Sequence, residues 1–329
     1  MSAGAERAGS GSTARRGRGA RYAGLAALLV LLGCQARSDG PRELEVRFAN
    51  AGVMLAGTLS LPSSLGEGRP AVVFVTGDGP QDRDGGLGPA GLFHILADSL
   101  VGRGVIVLRH DDRGAGSSSA DPGPPSYLAL IGDTRAALAF ARRRSEVDSD
   151  RVVLIGHSEG AKTCEVLAAE DPKIAGIVLL AGATAVNVDS LLEEQARLNP
   201  GGPAARLLPT MSRAKAGERA HGPADLTDWM REHLELPPRR LLSRIRCPVL
   251  IVQGGADHLV REHHAREAAA LLEAAGNPDV SVRVFPGLSH AFTHWTPGAQ
   301  HSPGLDAADP VVAQAVAEWV SGRTLAKKP

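Results

Sequence analysis

The pentapeptide GHSEG, residues 156–160, follows directly on the apolar run RVVLI. A buried strand that turns sharply into a helix needs residues without side chains on either side of the turn, because a Cβ there would strike the neighbouring backbone. Ser158 then stands at the tip. Its hydroxyl becomes a nucleophile only where a histidine takes its proton and a carboxylate holds that histidine in the right tautomer. Both types occur downstream: Asp257 follows the run PVLIVQG, and His290 follows VSVRVF. The order serine, acid, histidine suits a nucleophile on a strand-turn-helix elbow, its partners coming from loops at the C-terminal ends of other strands. The plain alternative for Ser158 is a hydroxyl in a tight turn.

Each of these residues has a rival or a bland reading. His294 competes with His290 as the base, and Asp189 with Asp257 as the acid. His157, beside the serine, reads as structural. His258, His263 and His264 look like a metal cluster at first sight, but no second ligand set at metal spacing accompanies them. They read as a solvated helix start, and no metal is expected. Asp111, Asp112 and Arg113, like Asp82, Arg83 and Asp84, read as ion pairs that tie down loops near the site, with substrate contact as the alternative.

The elements that must position these residues are legible as alternation. ELEVRF and VMLAGTLSLP, joined at Asn50-Ala51-Gly52, read as an antiparallel hairpin. The runs at 71–75, 104–110, 151–156, 176–182, 248–254 and 280–285 are short, β-branched and apolar on both faces, as strands of a parallel sheet covered by helices must be. Helical patterns lie at about 90–102, 127–145, 159–170, 260–275 and 310–322, which implies βαβ units in one doubly wound sheet. Residues 183–245 break the rhythm. This stretch is far longer than a usual strand connection and holds helix-forming segments, so it reads as a helical cap inserted after the sixth strand.

Composition narrows the function classes. Of 329 residues, 43% are hydrophobic and 22% charged, the balance of a globular protein. The formal net charge is zero with basic residues scattered, which leaves no footprint for a nucleic acid partner. Residues 1–33 carry a basic region and the apolar run AGLAALLVLLG, too short to span a bilayer, and read as a signal peptide. Leu31-Leu32-Gly33-Cys34 resembles the bacterial lipobox, which makes Cys34 the expected lipidation site, residues 34–42 a tether, and the protein exported and lipid-anchored to the cell envelope. Gln35 after the cysteine suggests the outer membrane in a Gram-negative cell. The alternative is a soluble secreted protein cleaved nearby. Removing residues 1–33 takes away five arginines and one glutamate, leaving 31 basic against 35 acidic residues and a net charge of −4. Cys164 and Cys247 read as two separate thiols, although an exporting route also permits their pairing.

With the loop TGDGPQDRDG (76–85), HDDRGAGSS and GHSEG in this order, the chain resembles the α/β-hydrolase superfamily from about residue 43 to 322. Within it, the chain is similar to bacterial acyl esterases and serine-peptidase-like hydrolases that carry a Gly-x-Gly-Pro-x-Asp-Arg-Asp loop. The resemblance implies an α/β-hydrolase fold: a mostly parallel doubly wound sheet, an N-terminal antiparallel hairpin and a helical cap, with the core at 43–182 and 246–329 and the cap at 183–245. It implies a serine hydrolase that cleaves a small-molecule ester through an acyl-enzyme on Ser158, His290 and Asp257, with no cofactor. It also places the oxyanion donors on the backbone N–H of Glu159 and on that of Asp78, with Gly79 as the alternative. The family usually has a small neutral residue at the place of Asp78, so this carboxylate is expected to point away or to pair, with Arg83 the candidate. Trp229 is the main candidate to line the pocket. Two other readings stand beside this one: an aminopeptidase or amidase on the same triad, for which Glu193, Glu194 and Glu218 could anchor a free amine, and a non-catalytic lipid-anchored binding protein.

Overall fold

In the computed structural model the described residues are 40–325, apart from 65, 86–90, 121–122, 125, 223 and 295–306. The expected signal peptide 1–33, Cys34 and most of the tether lie outside the described residues. Among the described residues no helix is long and apolar enough to cross a membrane.

Among the described residues eight strands form one sheet: β1 (Arg42–Asn50), β2 (Val53–Leu61), β3 (Arg69–Val75), β4 (Ile106–His110), β5 (Val147–His157), β6 (Gly176–Leu180), β7 (Val249–Gly254) and β8 (Val280–Phe285), in the order β1-β2-β4-β3-β5-β6-β7-β8. The hairpin predicted from the first two runs closes at Asn50↔Val53, where Ala51 and Gly52 both take positive φ, as a two-residue turn matched to strand twist requires. β2 also pairs antiparallel with β4, and all remaining pairings are parallel.

The unbroken apolar runs have a simple cause. In β3, Val73 and Val75 face a core built with α2 (Tyr127–Arg142), α3 (Glu159–Glu170) and α8 (Glu262–Ala274), whereas Val72 and Phe74 face a second core built with α1 (Leu92–Val101) and α9 (Pro310–Thr324). Leu154 against Val153 and Ile155, and Ile251 against Leu250 and Val252, divide in the same way. A strand covered on both faces has no polar side to show. β8 departs from the expectation of burial on both faces, with Val282 exposed, because it is the edge strand and has no neighbour beyond it.

The described residues of 183–245 hold four helices, α4 (Val188–Leu198), α5 (Pro203–Lys215), α6 (Thr227–Leu234) and α7 (Pro238–Leu242), between β6 and β7. Leu192, Ala204, Met211, Ala214 and Met230 give this segment a small core of its own. It is tied to the sheet layer at the start of α2, where Glu232 accepts hydrogen bonds from the Ser126 hydroxyl and the Leu128 N–H at 2.9 and 3.0 Å. The strand order reverses between β3 and its neighbours β4 and β5. The loops that leave the carboxyl ends of β3 and β5 therefore diverge and open a crevice at that edge.

Candidate active site

Only Ser158 separates β5 from α3, at φ 54° and ψ −115°. This conformation is strained for a residue with a side chain, and it is held by the Ser158 N–H donating to the Leu180 carbonyl at 2.8 Å. The two glycines have separate duties. A Cβ on Gly156 would overlap the Gly160 carbonyl, and a Cβ on Gly160 would overlap the carbonyls of Val75 and Thr76. Only bare backbone lets the helix start this close to two strand ends.

Asp257 and His290 come together across the ends of β7 and β8. The His290 Nδ1 lies 2.8 Å from Asp257 Oδ2, which also accepts from Gln253 Nε2 at 2.9 Å, and Oδ1 accepts the N–H groups of Leu259 and Val260 at 2.8 and 2.9 Å. Burial acts to raise this carboxyl, but the bond and charge of His290 together with the two backbone donors outweigh it, and Asp257 stays below its usual range. With Nδ1 engaged, Nε2 is the nitrogen of His290 left for a proton transfer. His290 and Ser158 line one cavity of about 460 Å³. Among the described residues no hydrogen bond joins the Ser158 hydroxyl to His290; such contacts commonly tighten only when substrate arrives. His157 lies beside His290, its Nε2 donating to the His290 carbonyl at 2.9 Å, and burial lowers its pKa to about 4, which keeps it neutral.

The rivals lie elsewhere. His294 is exposed and pairs with Asp309 at 2.8 Å, and Asp189 pairs with Lys215 on the cap at 2.8 Å. His258 and His263 are exposed as a solvated helix start should be, but His264 is buried, with its Nε2 2.9 Å from Glu194 on α4. Residue spacing could not show this, because Glu194 stands far away in the chain and reaches α8 only through the fold. Glu218 pairs with Arg213, and neither it, Glu193 nor Glu194 is among the residues lining the cavity of Ser158 and His290. Cys164 and Cys247 are free thiols.

The loop after β3 is stapled from below. Asp112 accepts from the Thr76 hydroxyl at 2.7 Å and from the Gln81 N–H at 3.0 Å, and Asp111 accepts from the Arg83 N–H and guanidinium at 2.8 to 3.0 Å. Arg83 reaches on to Glu45 and the Thr58 hydroxyl. Arg83 is thus committed to Asp111 and Glu45, and the expected pairing with Asp78 does not form. Asp78 instead sits at the mouth of the cavity, exposed as a residue, yet with a carboxyl that the cavity walls desolvate and push up. Gly77 packs so closely that a Cβ there would lie 3.3 Å from Ser158 Cβ, which brings the Asp78 backbone beside the elbow.

A feature without sequence signal is the buried contact between Glu159 and the cap. Glu159 Oε1 lies 2.6 Å from His233 Nε2 on α6, and the His233 ring stacks on Tyr127 with centroids 3.6 Å apart and leans on Trp229. Burial pushes the Glu159 carboxyl well above its usual range and lowers His233 to about 3, so it disfavours the charged form of each partner. Trp229 lines the cavity, as expected from its type, with Leu192, Leu207 and Leu236. Deeper on α3, Lys162 and Glu165 face each other at 3.5 Å in the interior, where burial raises Glu165 to about 7.

Comparison with known proteins gives consistent findings. A family model described as serine aminopeptidase, S33, matches residues 84–233, and one described as the dienelactone hydrolase family matches residues 201–321. Esterase EstD of Thermotoga maritima is 30% identical over 247 residues, which cover 72% of this chain and 57% of EstD, so the match spans little more than half of that relative. An uncharacterized protein of Mycobacterium tuberculosis, Rv2307c, is 30% identical over 237 residues, covering 72% of this chain and 68% of its own length. Est1E from Butyrivibrio proteoclasticus, solved with ferulic acid bound, superposes with a TM-score of 0.61 at 17% identity over 84% of this chain and 98% of that one. That last likeness concerns the fold.

Proposed function

Because the chain belongs to the α/β-hydrolase superfamily, in its esterase-like branch, we propose that it is a serine hydrolase cleaving carboxylic esters through an acyl-enzyme. The observation that carries the reading is the 2.8 Å contact of His290 Nδ1 with Asp257, with His290 and the strained Ser158 facing one cavity. His290 Nε2 takes the Ser158 proton as Oγ attacks the ester carbonyl, and Asp257 stabilises the imidazolium that forms. The tetrahedral oxyanion rests on the N–H of Glu159, in the first turn of α3 where helix amides lack acceptors, and on the N–H of Asp78. Asp78 is favoured over Gly79 because Asp78 lines the cavity with Ser158, whereas Gly79 is not among its lining residues. His290 then protonates the departing alcohol and, in the second half, activates the water that frees the acid.

A fluorophosphonate probe and short p-nitrophenyl esters test this. The wild type should be labelled and turn over, and Ser158→Ala should abolish both, with a loss on the order of 10⁶ in kcat. A well-folded wild type that neither labels nor turns over would favour the binding-protein reading. The peptidase alternative draws support from the serine aminopeptidase match over residues 84–233; an aminoacyl-anilide run beside the esters decides it. Lipid anchoring through Cys34 belongs to the same proposal and is supported by the apolar run before Leu31-Leu32-Gly33-Cys34. Mass spectrometry of the mature N-terminus checks it, since an unmodified start at another residue ends that part of the reading.

A further inference from the structure

We propose that Glu194, His263 and His264 form a binding site for a divalent transition-metal ion of the zinc, cobalt or nickel type, which fastens cap helix α4 to core helix α8. Their donor atoms lie within 4.8 Å of one another. Glu194 Oε2 stands 2.9 Å from His264 Nε2 and 3.8 Å from His263 Nε2. Donors held about 2.0–2.2 Å from a tetrahedral ion are roughly 3.4 Å apart, so small side-chain adjustments admit the ion. Two imidazoles and one carboxylate make a borderline donor set that suits zinc-like ions and leaves calcium and magnesium, which take oxygen ligands, poorly served.

Access and rigidity are divided between the ligands. His264 is 2% exposed and held in place by the packing of α8, whereas His263 is about half exposed and Glu194 about one-fifth, so an ion and its completing water can enter from solvent. A simple Glu194–His264 hydrogen bond accounts for two of the three groups. It leaves the third unexplained: His263 at 3.8 Å is too far to bond Glu194, yet its ring lies against that of His264 with centroids 4.1 Å apart. Among the described residues the buried His264 Nδ1 has no hydrogen-bond partner, so none of them supplies the supporting acceptor that usually raises metal affinity about 10–100-fold. The ion is therefore exchangeable. It would also act beside the catalytic cavity, because the next residue, Gln195, lines that cavity and donates to the Leu259 carbonyl at 2.8 Å.

The test needs no enzymatic activity. The untagged chain, stripped with a chelator that is then removed, is titrated with Co(II) followed by visible ligand-field absorption, and with Zn(II) by calorimetry. One equivalent should bind, Zn(II) should displace Co(II), and Glu194→Gln and His263→Ala should each weaken binding at least about tenfold. Glu194→Gln keeps an acceptor for His264, and His263 is exposed, so both variants should unfold at the wild-type denaturant midpoint in chelator. Absence of one-equivalent Co(II) or Zn(II) binding, or unchanged binding in both variants, would overturn the site and leave a hydrogen bond alone.

Discussion

Ser158 keeps its hydroxyl at the apex by holding a backbone conformation that costs of order 1–3 kcal/mol. Ser158→Gly releases that strain, whereas Ser158→Ala keeps it, and both remove the hydroxyl. The glycine variant should therefore be the more stable of the two by about 1 kcal/mol, after the greater freedom of glycine in the unfolded chain is offset; equal denaturant midpoints would show that the elbow stores no strain. The two carboxyls beside the proposed oxyanion site raise a second residue-level question, since a negative charge there would oppose the charge being stabilised. Burial pushes both Asp78 and Glu159 upward, so they stay protonated to higher pH than ordinary carboxyls. As pH rises through their raised values they ionise, and the rate should fall. Glu159→Gln, which can still bond His233, and Asp78→Asn should hold the rate to higher pH. A kcat profile whose alkaline limb is the same in the wild type and both variants would refute this.

At the scale of elements, the loop after β3 owes its position to side chains from the next strand end. Arg83 spans Asp111 and Glu45, and the Asp111 side chain is only 2% exposed. Removing one partner of a buried pair leaves an uncompensated charge, which costs about 3–5 kcal/mol. Arg83→Met should lower unfolding stability by an amount near the bottom of that range, because Ser117 still donates to Asp111. It should also lower kcat more than it changes KM, through misplacement of the Asp78 N–H. The same logic explains Gly116, where a Cβ would overlap the Asp111 carboxyl that anchors the loop.

For the whole molecule, the cap walls the cavity at the elbow. Its own core is small, and it closes one wall of the cavity with Trp229, Leu192 and Leu207. A cavity of about 460 Å³ falls in the range that encloses small organic ligands, so acyl length should be limited by the cap wall. Trp229→Ala should move the optimum of kcat/KM to longer acyl chains. For the first chain that overfills the wild-type cavity the gain should be about tenfold, near the low end of what a methylene-scale mismatch commands. A series of p-nitrophenyl esters reads this directly, and an unmoved optimum would place the limit elsewhere.

How much could be read before the fold was known differs by kind of information. The strands, their parallel arrangement and the elbow were legible because each is written locally: apolar runs announce burial on both faces, and glycines flanking a serine announce a turn that no Cβ survives. The pairing of Asp257 with His290 was also foreseen, since both types stand directly after strand runs. What local signal could not carry was every contact between distant segments. Arg83 chose Asp111 and Glu45 over Asp78, His264 went inside to meet Glu194, and Glu159 met His233 of the cap. The physical reason is that charged side chains of either sign look alike in a sequence, and which of them is desolvated, and by whom it is paired, is settled only when packing brings separate elements together.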